Sequence, residues 1–249
     1  MKSLARWLRN RRFRVRQYTA RYPWMFFTLY QLSPNNRKLM VTRRTRITIE
    51  GYPRSANTYA VYAFKHVNDI QWNELGHHLH VQAQIIRSIQ YQIPVILLIR
   101  HPLEAVRSLV VRHDFIPVSE ALEDYVRFYS DLYELREGFV VANFEDVIEH
   151  YGKIIEQVNK RFSSNFNLFP DQDETAKAAV FDEIDRRNRQ MDKGKVTHLY
   201  RPDKDKDSLK DAVELQENSE LYQNALNIYK KYTVLTEKQT ASNHDKINP

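Results

Sequence analysis

Residues 52–59 concentrate hydrogen-bond donors in a short stretch, and donors of this kind bind anions. The stretch reads Tyr-Pro-Arg-Ser-Ala-Asn-Thr-Tyr and follows residues 47–50, whose alternating apolar and polar side chains predict a strand. A helical run begins near Ala56, and the first N–H groups of a helix have no intrahelical partner. The side chains that add donors are Arg54, Ser55, Asn57 and Thr58. We therefore predict a strand, an anion-binding turn for phosphate or sulfate, and a helix; a plain strand-to-helix turn is the alternative.

This stretch differs from the phosphate loop of nucleoside triphosphatases, which requires a glycine, four further residues and then Gly-Lys-Ser/Thr. Counting from Gly51, the position of the second glycine is occupied by Ala56, and no lysine follows it. The cation of the loop is instead Arg54, which lies in the middle of the turn. The sequence therefore disfavours a nucleoside triphosphatase.

Three imidazoles lie close together at His77, His78 and His80. Histidine is the commonest general base because its pKa lies near neutrality, and it is also a frequent metal ligand. No third ligand follows at a familiar metal-binding spacing, and the chain contains no cysteine. We predict a catalytic rather than a metal-binding role for this cluster, with His78 and His80 on the same side of an extended segment; a purely structural cluster and a metal site are the alternatives.

A second candidate anion site follows the apolar run at residues 94–99. Such a run predicts a strand that is buried on both faces of a parallel sheet. Arg100 follows the run directly, and Ser108 lies about two turns into the next predicted helix. Ligands of open α/β sheets bind beyond the carboxyl ends of the strands, so both side chains are candidates for phosphate binding. In the alternative, Arg100 caps a helix or pairs with an acid.

Together these segments resemble the sulfotransferases that use 3′-phosphoadenosine 5′-phosphosulfate (PAPS). The first stretch is similar to the family's 5′-phosphosulfate loop, Tyr-Pro-Lys/Arg-Ser-Gly-Thr-Thr-Trp, with Ala56, Asn57 and Tyr59 in place of Gly, the first Thr and Trp. The apolar run, Arg100 and the serine eight positions later are similar to its 3′-phosphate motif. His78 lies 22 residues before Arg100, as the catalytic histidine does in the cytosolic branch of the family.

The resemblance, which covers residues 46–112, implies transfer of a sulfuryl group from PAPS to a hydroxyl or an amine, with 3′-phosphoadenosine 5′-phosphate (PAP) as product. His78 would be the general base, with Arg54 and His80 beside it. The nucleotide would be bound by Arg54, Ser55, Ala56, Asn57, Thr58, Tyr59, Arg100 and Ser108. A late loop that covers the nucleotide in many family members would correspond to Lys193-Gly194-Lys195 and Arg201. The acceptor stays open among small molecules, glycans and lipids.

The elements that must position these side chains alternate between strands and helices. A third buried strand is predicted at residues 139–142, and helices at residues 81–92, 120–137, 148–162, 174–191 and 221–234. This order predicts an α/β fold with a central parallel sheet flanked by helices, and 249 residues suffice for a single domain. The resemblance implies the sulfotransferase version of the P-loop NTPase-like fold. We place this domain at residues 46–237, after a basic arm at 1–45 and before a disordered tail at 238–249.

The net charge of +7 arises in the N-terminal part of the chain. Residues 1–49 contain 13 Lys or Arg and no Asp or Glu, whereas the remainder contains 25 basic and 31 acidic residues. We therefore expect no specific nucleic-acid partner. The arm either packs on the domain behind a solvated basic face or is attracted to an anionic membrane or polyanion.

The location of the protein is predicted from what the N-terminal segment lacks. No apolar run approaches the roughly 20 residues that span a bilayer, and no secretory cleavage site is visible. We expect a cytoplasmic protein and leave membrane association through the arm open.

Two other classes of function stay open. A phosphoryl-transfer enzyme of related fold is disfavoured, because Gly-Lys-Ser/Thr and an acidic Mg²⁺ ligand after a strand are both missing. A non-catalytic protein that binds a membrane or a polyanion is disfavoured by the presence of His78, Arg100 and Ser108 together.

Overall fold

The centre of the fold is a sheet of four parallel strands in the spatial order β2, β1, β3, β4. The structure is a computed structural model that describes residues 2–192 and 204–244. The strands are β1 (Ile47–Gly51), β2 (Leu75–His77), β3 (Val95–Ile99) and β4 (Val140–Asn143). The expected α/β class, a single domain with a central parallel sheet flanked by helices, is confirmed.

Twelve helices surround or extend this sheet in the described part of the chain. In chain order they are α1 (Lys2–Thr19), α2 (Pro23–Tyr30), α3 (Pro34–Arg37), α4 (Asn57–Val67), α5 (Gln82–Gln90), α6 (Pro102–Arg112), α7 (Val118–Tyr133), α8 (Phe144–Glu149), α9 (Tyr151–Phe162), α10 (Glu174–Asp192), α11 (Lys204–Asp211) and α12 (Glu220–His244). Two short 3₁₀ turns, Trp72–Glu74 and Arg136–Gly138, precede β2 and β4.

Both faces of the sheet carry an apolar core, because consecutive side chains of a strand point to opposite faces. In β3, Ile96 and Leu98 pack with α4, α9 and α10, whereas Val95 and Leu97 pack with α6, α7 and α12. All five residues of β3 are buried, which agrees with the continuous apolar run seen in the sequence. Helices therefore cover both faces of the sheet, and the segments that line the cavity follow the carboxyl ends of its strands.

One strand and several helix boundaries differ from the expectations. β2 has no apolar alternation that would predict it, and it forms because Leu75 and His77 pair with Ile47 and Ile49 of β1. The helix predicted at residues 148–162 is divided into α8 and α9, which meet at His150. α12 continues to His244, past the predicted end of the domain at residue 237. The predicted late loop with Lys193-Gly194-Lys195 and Arg201 lies outside the described residues.

The N-terminal arm is helical and packs against α7. Its polar side chains meet acidic residues there, with Asn10 Nδ2 donating to Glu120 Oε2 (2.8 Å) and Gln17 Nε2 donating to Asp124 Oδ2 (2.8 Å). Arg21 forms an ion pair with Asp131 of the same helix. Packing on the domain, one of the two alternatives for the arm, is therefore observed. Among the described residues, no helix is both long and apolar enough to cross a membrane.

Candidate active site

A cavity of about 1170 Å³ lies beyond the carboxyl ends of the strands. Parallel strands end at the same edge of a sheet, so the segments that follow them meet there. The loop after β1, the histidines after β2, Arg100 after β3 and Phe144 after β4 all line the cavity. α1 closes another side of it. The cavity is therefore built from segments that are distant in the chain.

The loop between β1 and α4 has an unusual backbone. Arg54 (φ 73°) and Ala56 (φ 64°) both adopt left-handed conformations, which cost non-glycine residues roughly 1–2 kcal/mol each. Asn57 Nδ2 donates to Tyr52 O (3.0 Å) and braces the turn. Gly51 is required at its start, since a Cβ there would lie 2.3 Å from the backbone oxygen of Leu98. Strained loops of this kind cluster at ligand sites. Where right-handed and left-handed residues alternate along a backbone, successive N–H groups can form an anion-binding concavity.

The predicted loop residues divide into two groups. Arg54, Ala56, Asn57, Thr58 and Tyr59 line the cavity, whereas Ser55 is fully buried and lies outside the lining. Within the described part of the chain, Asn57 Oδ1 and the Tyr59 hydroxyl are buried without a hydrogen-bond partner. Burial raises the pKa of Tyr59 to about 12, so its hydroxyl keeps its proton at neutral pH. A buried polar atom without a partner is costly, and a bound ligand can satisfy it.

Arg54, Arg100 and Ser108 form one connected cluster at the cavity wall. Arg54 Nε donates to Ser108 Oγ (2.9 Å), and Arg100 Nη1 donates to the backbone oxygen of Arg54 (3.2 Å). Arg100 also pairs with Glu104 at 3.2 Å, and its guanidinium carbon lies 4.0 Å from the centre of the Phe144 ring. These contacts hold two guanidinium groups together at the cavity wall.

The three histidines occupy distinct positions. His78 Nε2 lies 3.1 Å from Thr58 Oγ1 in the first turn of α4, and its Nδ1 lies 2.7 Å from Nδ1 of His77. His80 Nδ1 donates to Gly51 O at 2.9 Å. His78 and His80 line the cavity and His77 does not. Both lining residues have left-handed backbones, with φ of 56° for His78 and 50° for His80.

The imidazoles that line the cavity are neutral at physiological pH. Burial lowers the pKa of His78 to about 4, and it lowers the pKa of His80 to about 3. Burial also places the pKa of His77 well below its ordinary value. A neutral imidazole can accept a proton, so the protonation state of His78 suits a general base.

Glu50 supports the histidine segment and was missed in the sequence. Its Oε1 accepts from Leu79 N (2.7 Å), and its Oε2 accepts from His80 N (3.0 Å). Arg16 of α1 donates to the backbone oxygen of Leu79 from the other side. Burial raises the pKa of Glu50 to about 7. The only sequence signal was a carboxyl group near the end of a predicted strand, because the burial of β1 on both faces becomes visible only in the structure.

The cavity is strongly cationic. Eight of its lining residues are Arg or Lys, and none of the described lining residues is Asp or Glu. The cations are Arg9, Arg11, Arg12 and Arg16 of α1, Arg54 of the loop, Arg100, Arg112 and Lys210. The sequence patterns did not assign the α1 cations, Arg112 or Lys210 to the site. A cleft lined by one sign of charge concentrates ligands of the opposite sign, so this cavity favours a polyanion.

The described residues contain no group of three or more His, Cys, Asp or Glu that could hold a metal ion. The fold and the site together define an α/β protein with a cationic cavity at the carboxyl edge of its sheet. Comparison of the chain with protein-family models finds no match, and comparison with curated protein sequences finds none either.

Proposed function

We propose that this protein is a PAPS-dependent sulfotransferase that moves a sulfuryl group to a hydroxyl or amine acceptor, with the sulfotransferase version of the P-loop NTPase-like fold. The observation that carries the proposal is the convergence of the strand-to-helix loop, His78, Arg100 and Ser108 on one cavity. The resemblance assigns these segments to donor binding and to catalysis. Their proximity is not a consequence of their positions in the chain.

The residues present fit a nucleotide that carries two anionic ends. Eight cations without an acid among the described lining residues match the charge of a 3′-phosphate and a 5′-phosphosulfate. The volume of about 1170 Å³ exceeds that of most small-molecule sites, which supports room for an acceptor as well. The unpartnered Asn57 Oδ1 and Tyr59 hydroxyl offer an acceptor and a donor to the ligand.

The two anionic groups of the donor are assigned to two neighbouring groups of residues in the cavity wall. Arg100 and Ser108 bind the 3′-phosphate, and Arg54, whose Nε donates to Ser108 Oγ, links these two residues to the loop that binds the 5′-end. The N-terminus of α4 binds the 5′-end, since unpaired N–H groups and the helix dipole favour an anion there. Thr58 adds its hydroxyl at that terminus.

When bound, PAPS supplies the activated sulfuryl group. His78 Nε2 takes the proton of the acceptor hydroxyl, and its distance of 3.1 Å from Thr58 Oγ1 places this base beside the α4 N-terminus. Negative charge that binds beside His78 raises its pKa, because a nearby anion favours the imidazolium. Arg54 and the loop donors stabilise the negative charge that develops on the departing phosphate.

Nucleotide binding tests the proposal most directly. By titration calorimetry, we expect PAP to bind far more tightly than AMP or ATP. Arg100→Ala should weaken PAP binding ten- to over a hundredfold, corresponding to about 1.5–3 kcal/mol for charge-assisted hydrogen bonds, and should barely change AMP binding.

Arg107→Ala is the matched control, because Arg107 also belongs to α6 but does not line the cavity. It should leave the affinity for PAP unchanged. Equal affinities of the wild type for PAP and AMP would refute the proposal. Tightest binding of ATP would favour a phosphoryl-transfer enzyme instead.

A further inference from the structure

α1 packs with its polar side toward the protein. Asn10 and Gln17 donate to Glu120 and Asp124 of α7, so the inner side of this helix is held by hydrogen bonds. A surface helix normally turns its apolar stripe toward the core. In α1 five of the six large apolar side chains are instead exposed, by 44% to 62%, and the sixth, Phe13, packs against the core. This inversion leaves apolar surface in contact with water.

The exposed side chains form one continuous face, which we call the outer stripe. Residues spaced by three, four or seven positions lie on the same side of a helix. The outer stripe consists of Leu4, Trp7, Leu8, Val15 and Tyr18, with Arg11 and Arg14 between them. Single exposed apolar residues are normal on protein surfaces, but a contiguous apolar face marks an interaction site.

The exposed apolar surface of the protein is concentrated in this region. Among the side chains that the structure describes, nine of the twelve large exposed hydrophobic residues belong to residues 4–32. The ring of Tyr22 lies 6.0 Å from that of Tyr18 and extends the stripe toward α2, which exposes Trp24 and Leu29. A local concentration of this kind indicates a dedicated surface.

The charges of the region favour an anionic membrane as the partner. Residues 1–49 carry 13 cations and no acid, so a second copy of the chain docked through this face would bring like charges together. A soluble polyanion would leave the apolar side chains in water. A membrane with anionic headgroups satisfies both features, because Trp and Leu insert at the interface while Arg binds the headgroups.

We propose that the outer stripe docks the protein on an anionic membrane and that the acceptor is the hydroxyl of a membrane lipid. The assignment of a lipid acceptor rests on the proposed sulfotransferase function. The link between the two is geometric, since Leu8, Arg11 and Val15 belong to the outer stripe and also line the cavity. A lipid headgroup therefore reaches the cavity along α1 from the docked face.

Vesicle sedimentation of the full chain tests the docking. We expect binding to phosphatidylcholine vesicles that contain about one-third phosphatidylglycerol, weaker binding to pure phosphatidylcholine, and a decrease with salt. Leu4→Ser/Trp7→Ser should reduce binding about tenfold, and Arg14→Gln about fivefold. None of these three residues lines the cavity. Leu168→Ser is the matched control, because Leu168 is 49% exposed outside the arm, and it should bind like the wild type.

Two results would overturn the docking. One is equal vesicle binding, including none, by the wild type and Leu4→Ser/Trp7→Ser, with thermal melting showing both folded. The other is a concentration-dependent dimer that the same substitutions abolish in light scattering.

The acceptor class is tested with labelled PAPS and the same vesicles loaded with a cell lipid extract. Label that enters the organic phase supports a lipid acceptor, and label confined to water-soluble material contradicts it. Vesicle binding needs no nucleotide, so the two hypotheses fail separately. Loss of docking with intact PAP binding overturns this inference alone, and docking without PAP binding overturns the proposed function.

Discussion

At the scale of single residues, the position of the His78 imidazole is decided by its contacts with Thr58 and His77. Thr58 and His78 are 20 residues apart in the chain, yet Oγ1 and Nε2 lie 3.1 Å apart. For Nε2 to accept a proton, Nδ1 of His78 must carry the hydrogen and donate it to Nδ1 of His77, 2.7 Å away. His77, to which the sequence assigned little, therefore becomes a positioning residue. The bond between His77 Nδ1 and His78 Nδ1 leaves Nε2 as the nitrogen of His78 that is able to accept a proton.

Substitution of His78 tests its role as base. His78→Ala should leave PAP affinity nearly unchanged and lower kcat by about 10²- to 10⁴-fold, because a general base contributes this much. Sulfate transfer from labelled PAPS to a cell extract, with calorimetry of PAP, measures both. An active His78→Ala together with an inactive His80→Ala would move the base to His80.

The pH profile provides a second test of His78. The base must be unprotonated, so activity should rise with pH through the pKa of His78, which burial lowers to about 4 in the free protein. In kcat/KM for the donor we expect this low pKa, and in kcat a higher one, because bound negative charge stabilises the imidazolium. Profiles with the same pKa in both parameters would contradict an anion site beside His78.

At the scale of elements, α1 is a wall of the site rather than a detached arm. Arg16 donates to Leu79 O at the histidine segment, and burial lowers the pKa of its guanidinium. Arg9 and Arg12 line the cavity from exposed positions further along the helix. None of the ion pairs in the described residues involves these two side chains. Their charge is therefore available to an anionic ligand.

Removal of these two charges should weaken nucleotide binding. Arg9→Gln/Arg12→Gln is expected to reduce PAP affinity about tenfold and to flatten its dependence on salt, because each exposed cation contributes roughly 0.5–1 kcal/mol. Calorimetry at low and high salt measures both effects. Arg14→Gln removes a charge of the same helix that does not line the cavity, and it should change neither. Equal losses in both variants would indicate a general charge effect.

At the scale of the whole molecule, the buried site groups couple folding to pH. Burial raises the pKa of Glu50 from 4.5 to about 7, so in that interval the folded protein holds a proton that the unfolded chain releases. The contribution of Glu50 to stability therefore falls as pH rises from about 4.5 to 7. Burial also raises the pKa of Asp124, to about 6, which acts in the same direction at lower pH.

The histidines act in the opposite direction. In the folded protein the pKa is about 4 for His78 and about 3 for His80. In the unfolded chain both histidines have a pKa of about 6.5, so they bind protons at a higher pH than in the folded protein. Stability from these groups is thus present above pH 6.5 and is lost as pH falls. Because the carboxyl groups and the histidines change stability with pH in opposite directions, a substitution is needed to separate their contributions.

Glu50→Gln isolates the carboxyl contribution. The amide resembles the protonated acid, so relative to the wild type the variant should gain about 3 kcal/mol of unfolding free energy between pH 4.5 and 8. Urea unfolding at both pH values measures the difference. Glu156→Gln, at an exposed position of α9, is the control and should show no such gain. A constant difference between Glu50→Gln and the wild type would exclude titration of Glu50 in this range.

The sequence by itself determined the local features. Apolar runs and alternation identified β1, β3 and β4 and the parallel α/β sheet, because side-chain period and burial are coupled within a few residues. Residues 52–59 could be predicted as a turn between a strand and a helix, because the turn residues and the helix start lie adjacent in the chain. Arg100 could be placed at the end of a strand, and Ser108 in the helix that follows it, for the same reason.

The tertiary structure decided which of these features meet. β2 exists through its pairing with β1, and Glu50 supports the histidine segment through bonds to residues 29 and 30 positions away. The cations of α1 join the cavity because Asn10 and Gln17 bind α7, more than 100 residues later. These contacts depend on the packing free energy between distant segments, and the local spacing of apolar residues in the sequence carries no information about it. Local patterns therefore specify the strands and the turn, and long-range packing assembles the cationic cavity around them.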